Sequence, residues 1–335
     1  MFKNVFRDFD EFAEFVRGIE GRFMLTGRCA TDWWVQGSQA NRVSVQELQI
    51  GGCATFAGTG EPGRIALGVP MTDARLMRID TTDLREDSFI LMQGDQPFMF
   101  TGIGTTRWAG ITLPFEHPCL DLCTLEVLAA GRSVRTRTQL GRLEYLRRLV
   151  NRMLSGDPAV RIATAAAAAS LEEELSLAIA QVLEFSCVDK ETKGRRKRAH
   201  HAGAVARCLD FIYAVGAETL YVEDLARIAH VSQRTLRTLF QEHFGVPPMR
   251  LVKAKRLWDV RSALLHRLPG EGVMQIGEKF GVWDFSAFAR EYRAVFSELP
   301  CETLPLNERG SGRGASLPWL IYAAKTLRAQ ARRTI

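Results

Sequence analysis

The sequence predicts an α+β protein. A β-rich, barrel-like N-terminal domain ends in helices, and an all-α C-terminal domain follows, with two helix-turn-helix units joined by a linker helix. Three observations predict it. Short apolar runs broken by turns follow one another from about residue 21 to 113, and 13 of the 28 glycines fall there, where they can take turn conformations. After Pro118 apolar residues recur every three or four positions, the spacing of a helix face. In the last third, the stretches 222–240 and 273–292 repeat one pattern about fifty residues apart.

Taken in order, "FDEFAEFVRGI" reads as an opening helix. Seven strand-like runs follow: "RFMLTG", "RVSVQELQIGG", "GRIALGV", "ARLMRID", "SFILMQGD", "PFMFTG" and "RWAGITL". So many short strands at close intervals imply a small barrel or sandwich. "LGRLEYLRRLVNRML" (140–154) is helical, and "GDP" ends it. "SLEEELSLAIAQVLEF" (170–185) opens with Ser170 and Glu173 at capping-box spacing, and the alanine run 165–169 reads as the last turns of a helix before it. "DKETKGRRKRAHH" (189–201) is charged and poor in apolar residues, and reads as an interdomain tether.

Charge is unevenly distributed. Residues 1–190 carry 20 Lys/Arg against 24 Asp/Glu, and residues 191–335 carry 24 against 14, so a net charge of +6 divides into a faintly acidic and a strongly basic part. The basic part is suited to a polyanionic partner. "MFKNVFRDFDEF" mixes acids with apolar residues, unlike an export signal, and no apolar run approaches the roughly 20 residues of a membrane span. Seven cysteines at irregular spacings, with Cys119 and Cys123 the only close pair, do not form a disulfide framework and suit a reducing cytosol. Residues 1–199 hold one histidine, His117, and no His-x-His, Cys-x-x-Cys, nucleophile elbow or phosphate-cradling glycine loop. No catalytic residue, metal ligand or cofactor is expected.

The two repeated stretches carry the functional signal. Each begins with a short amphipathic helix containing a small residue for close crossing, in Leu225-Ala226 and Ile276-Gly277. A tight turn comes next, His230-Val231 or Gly281-Val282, and then a capping residue, Ser232 or Asp284. The second helix buries Leu236, Leu239 and Phe240 in one unit and Phe288 and Tyr292 in the other. Between the units, "PPMRLVKAKRLWDVRSALL" (247–265) predicts a helix with proline in its first turn. About 18 residues at 1.5 Å each give roughly 27 Å. With the widths of the units, such a rod sets two reading helices about one duplex turn apart, some 34 Å.

This basic part resembles the DNA-binding domain of AraC/XylS transcriptional regulators over about residues 203–302. The matching positions are Leu225, Ala226, Val231, Ser232, Leu236, Phe240 and Gly245, then Arg256, Leu257, Leu264 and Leu265. In the second unit they are Ile276, Phe280, Gly281, Ser286, Phe288, Arg290, Tyr292, Arg293, Phe296 and Pro300. Gly277, Val282 and Ser297 depart from the family's usual Ala, Phe and Gly. The domains expected are 1–188 (sensory and dimerisation, cupin-like), 189–202 (basic linker), 203–302 (DNA-binding) and 303–335, where "LNERGSGRGAS" precedes a basic amphipathic helix.

In the first unit Gln233, Arg234, Arg237 and Thr238 face away from the apolar side, and an arginine there can donate bidentately to guanine. The second unit offers Phe285, Ser286, Ala287 and Arg290, of which only Ser286 and Arg290 can hydrogen-bond. Ala287 suits a thymine methyl, and Phe285 can pack inward instead. Base specificity is therefore expected mainly from the first unit, with phosphate contacts from the second. The resemblance implies an effector-responsive cytoplasmic activator that binds double-stranded promoter DNA alongside RNA polymerase, as a monomer or a homodimer and without a membrane. Arg132, Arg135, Arg148 and Arg152 are candidates to clamp an anionic small-molecule effector, such as a nucleotide second messenger. Trp33, Trp34, Phe98 and Phe100 are candidates to line a pocket or fill a core. The alternatives are a metal-dependent cupin-type enzyme with an accessory helix-turn-helix domain and a ligand-independent architectural or protein-binding factor.

Overall fold

The computed structural model describes residues 1–6, 9–29, 32–120, 124, 134–155, 165–188, 195–215, 220–305 and 319–333. Among the described residues thirteen antiparallel strands form two sheets: β1 (Phe2–Phe6), β2 (Ile19–Cys29), β3 (Trp33–Ala40), β4 (Val43–Ile50), β5 (Gly52–Gly60), β6 (Arg64–Pro70), β7 (Met77–Ile79), β8 (Thr82–Asp83), β9 (Ser88–Gln93), β10 (Pro97–Gly102), β11 (Thr106–Pro114), β12 (Val134–Arg137) and β13 (Cys187–Val188). One sheet runs β1-β3-β4-β11-β6-β9-β12-β13, the other β2-β5-β10-β7-β8. The α+β class is as the sequence predicts. Among the described residues the β domain is a two-sheet sandwich and not a closed barrel, since each sheet ends on edge strands with no further partner there.

The helices are α1 (Phe9–Phe15), α2 (Leu140–Leu154), α3 (Ala165–Glu184), α4 (Arg195–Ala214), α5 (Val222–Ala229), α6 (Gln233–Phe244), α7 (Pro248–Leu265), α8 (Val273–Lys279), α9 (Phe285–Phe296) and α10 (Trp319–Arg333). The alanine run and the 170–185 stretch are one helix. Alanine is the best helix former and nothing between the two parts breaks the chain, so Ser170 lies inside α3 and does not cap it. The stretch expected as a tether divides: residues 195–202 are the first turns of α4, and 189–194 lie outside the described residues, as do Cys123, Arg132 and the "LNERGSGRGAS" segment.

Strand alternation sends successive side chains to opposite faces, and both faces of both sheets find cover. In the larger sheet Val45, Ile65, Leu67, Phe89, Leu91 and Ile111 pack under α2 and α3. Their neighbours Leu48, Ala66, Ile90, Met92 and Trp108 face the second sheet. In the smaller sheet Leu25, Phe56, Ile79, Phe98 and Phe100 point inward, while Met24, Ala57 and Met99 point outward into a core shared with α4, α5, α6 and α10. The helical domain is thus seated on the outer face of the smaller sheet. Trp258 of α7 packs edge-on against Phe9 and Phe296 and donates to the Leu25 carbonyl at 3.4 Å.

Trp33 is buried against Phe9 and Phe12, whereas Trp34 lies under the cations of Lys3 and Arg107. His117 is buried, with Nε2 at 3.2 Å from Glu172 and Nδ1 at 3.0 Å from the Cys119 sulfur. Burial raises the Cys119 thiol to about 11, which keeps it protonated and unreactive. Among the described residues no group of three or more His, Cys, Asp or Glu could hold a metal ion, and no helix is long and apolar enough to cross a membrane.

Candidate nucleic-acid interface

Both repeated stretches fold as helix, turn, helix. In the first, α5 ends at His230, whose left-handed φ of 55° turns the chain, and Val231 donates back to the Ala226 carbonyl. Ser232 then accepts from Thr235 N at 3.1 Å and starts α6. In the second, Gly281 (φ 69°) takes the corner and Val282 donates to the Gly277 carbonyl. Asp284 accepts from Ala287 N at 2.9 Å and starts α9. The linker helix α7 begins after Pro247 with Pro248 in its first turn, and its 18 residues form the expected rod.

On α6, Arg234, Arg237 and Thr238 are exposed and Gln233 is half-buried. Gln233 donates to Glu223 at 2.9 Å, and the Thr238 hydroxyl donates back to the Arg234 carbonyl at 3.2 Å. The two guanidinium groups are therefore the uncommitted donors of this face. On α9, Ser286 and Arg290 are exposed and Ala287 is half-buried. Phe285 turns inward: a Cβ added at Gly277 would meet its ring carbons at 2.6 and 3.0 Å. Glycine at 277 leaves room for this ring, which lies across the helix crossing. Ser297, in place of glycine, holds a left-handed φ of 61° at the end of α9.

The second unit is braced from inside. Arg261 of α7, 2% exposed, forms an ion pair with Glu298 and stacks over Phe296 at 4.7 Å. The Tyr292 hydroxyl sits 2.7 Å from that of Thr303, which donates to Glu298 at 2.6 Å. Burial raises the Tyr292 pKa against the lowering effect of Arg261, so the phenol stays neutral.

The first unit is braced from outside, by the β domain. Arg78 of β7 donates through one nitrogen to the carbonyls of Gln241 (2.6 Å) and Glu242 (2.8 Å), and Thr101 of β10 donates to that of His243 at 3.0 Å. Arg78 is itself held by Asp83 at 2.6 Å. His243 is fully buried at this junction, its Nδ1 without a partner; burial, helped by the charges of His201 and Arg78, lowers its pKa to about 3. Sequence reasoning missed Arg78, which lines one cleft with Arg237, Thr238, Gln241, Glu242 and Pro247. It also passed over Trp283, 84% exposed beside the Asp284 cap.

Between the sheets lies an apolar cavity of about 80 Å³, walled by Phe23, Leu48, Phe56, Ile79, Met92, Phe98, Phe100 and Trp108, with Arg17, Gln46 and Thr112 as its polar groups. Of the proposed clamp, Arg148 and Arg152 lie on the exposed face of α2 away from this cavity, and Arg152 is paired with Glu174 at 2.5 Å. Arg135 is on β12, paired in register with Ile90.

A model described as a helix-turn-helix domain matches residues 225–304. Over 103 residues the chain is 31% identical to the XylDLEGF operon transcriptional activator 2 of Pseudomonas putida, a match covering 30% of this chain and 66% of that protein. It is 36% identical over 103 residues to the probable thc operon regulatory protein of Rhodococcus erythropolis, covering 30% of this chain and 31% of that protein. Among solved structures, a probable AraC family transcriptional regulator from Rhodopseudomonas palustris CGA009 is 30% identical, covering 30% of this chain and 94% of the other, with a TM-score of 0.29. The chain thus spans less than two thirds of the length of these curated relatives.

Proposed function

We propose that the chain is a one-component transcription regulator of the AraC/XylS family that binds promoter DNA through α6 and α9. One observation carries this reading. Each helix begins at a side-chain cap and presents exposed polar residues, Arg234 and Arg237 on one and Ser286 and Arg290 on the other, and a continuous helix joins the two units. In this reading Arg234, Arg237 and Thr238 read base edges with Gln233 beside them, while Ser286, Ala287 and Arg290 chiefly fix register on the backbone. The protein acts in the cytoplasm, as an activator working with RNA polymerase. Recovery of bound genomic fragments tests this: enriched promoter fragments sharing one motif support it, and indiscriminate recovery refutes it. Binding should weaken steeply with salt; a shallow dependence would favour the protein-binding alternative.

The effector in this reading enters the cavity between the sheets. Its walls suit an apolar body, and Arg17 with Gln46 suits a small anionic or polar head at one end. This replaces the arginine clamp, one of whose arms already holds Glu174. Melting curves with alkyl and aryl carboxylates against the matching amides test it; stabilisation by neither class refutes it.

A further inference from the structure

The cavity and the first reading helix share a wall two strands wide. In the β7–β10 pairing, Phe100 lies opposite Ile79 and Thr101 opposite Arg78. Alternation puts the first pair on the inner face, where both line the cavity. The second pair stands on the outer face, and its members hold the last carbonyls of α6. A helix end leaves its last carbonyls short of intrahelical partners, and here those of Glu242 and His243, together with that of Gln241, which also accepts from Gly245 N, take side chains from another domain. Gly245, which ends the helix, lies so near β10 that a Cβ there would meet Ile103 at 2.9 Å and Thr101 at 3.4 Å.

We propose that Arg78 and Thr101 are positioning residues for the first reading helix, and that filling the cavity moves them through the paired Ile79 and Phe100. Arg237 and Thr238 lie within about one turn of the gripped carbonyls, in the same cleft as Arg78. A small displacement of β7 and β10 therefore changes the angle at which these side chains meet a groove. α9 carries no such grip from this strand pair. α9 instead packs against β2, among the described residues without a side-chain hold from the β domain on its last carbonyls, so the effector acts chiefly on specificity at the half of the site read by α6. This inference rests on the regulator reading for its consequence on DNA, though not for the coupling itself.

The test uses the full chain and amide hydrogen exchange across α6 and α9, without DNA or effector. Arg78→Ala and Thr101→Val are expected to speed exchange in the last turn of α6 by roughly tenfold, the loss of a charged or buried hydrogen bond, while α9 stays at the wild-type rate. Thr101→Ser, which keeps the hydroxyl, is expected to restore that rate. Gly110→Leu serves as a built-in occupant: Gly110 lines the cavity, and a Cβ there meets nothing nearer than the Gln46 carbonyl at 3.9 Å. It should alter exchange in the same turn of α6, and Ala66→Val provides a second filling if the leucine lowers the melting temperature. Wild-type exchange in Arg78→Ala and Thr101→Val overturns the positioning role. Fillings that change β7 and β10 but leave α6 unaffected overturn the coupling. With a duplex selected from random sequences, Arg78→Ala should lower the ratio of selected to scrambled affinity about tenfold, and equal losses on both duplexes would overturn the effect on reading. Failure to select any duplex sinks the regulator reading and leaves the exchange result standing.

Discussion

The two helix-turn-helix units share a plan and differ in what steadies them. In the second, α7 reaches in with Arg261, and an ion pair, two hydroxyls and an aromatic ring fasten α9 from within its own domain. In the first, the end of α6 is fastened by side-chain hydrogen bonds from strands of the β domain, whereas α9 meets that domain by packing against β2. The reading faces differ in the same sense. α6 shows Arg234 and Arg237 in its first turns, whereas α9 shows Ser286 there, carries its exposed Arg290 and Arg293 further along and turns Phe285 into its own packing. In the proposed reading, the second unit is the fixed foot on DNA and the first the adjustable one.

Arg261→Ala attacks the fixed foot and has the largest expected effect. It strips Glu298 and Tyr292 of their partner, and stability should fall by about 3 kcal/mol in denaturant unfolding. A drop below about 1 kcal/mol would show that the brace is peripheral. Next comes Gly277→Ala, whose Cβ collides with Phe285 and should cost about 1–3 kcal/mol despite alanine's better helix propensity. Adding Phe285→Ala should recover much of that loss, and an additive double mutant would mean the ring is not the cause.

Specificity separates the feet directly. Arg237→Ala should weaken a selected duplex by about 1–3 kcal/mol while leaving a scrambled one nearly unchanged, and Arg290→Ala should weaken both alike. The reverse pattern would exchange the roles of the two units. The junction is also sensitive to acid. Because the folded pKa of His243 is depressed to about 3, its contribution is complete above the unfolded value near 6.5 and is lost as pH falls toward the folded one. At pH 5 the loss is about 2 kcal/mol. His243→Leu should flatten the fall in melting temperature between pH 7 and 5, and an unchanged slope would locate the acid sensitivity elsewhere. Smallest is Ser297→Gly, which relieves a left-handed φ and should add about 0.5 kcal/mol.

Much of the helical half was legible because its signals are local. Ser232 and Asp284 sit one residue before their helices, and the apolar spacing of 236–240 and 288–296 stands alone as evidence of a buried face. The sandwich was half legible. β1, β3, β5, β8, β12 and β13 went unread, and β5 is the instructive case. "GCATFAGTG" has poor strand propensity, yet it is the central neighbour of β2 and β10 because Gly58 lies against the backbone of Gly21, too close for a side chain. The seat of the helical domain left one overlooked sign. "PFMFTG" is apolar at consecutive positions, which marks a strand covered on both faces. The grip of Arg78 had no sign at all, since its partners lie more than 160 residues away and no periodicity links them.

Of the six tryptophans, Trp33 and Trp319 are buried, Trp34, Trp108 and Trp258 are half-buried, and Trp283 alone stands in solvent. The chain therefore carries an optical reporter beside the second reading helix. Emission from a water-exposed indole lies to the red of the others, and an anionic quencher such as iodide reaches it first. A titration followed at that edge of the spectrum would record the arrival of a duplex at α9 without any label, and the order in which the two feet land could be timed.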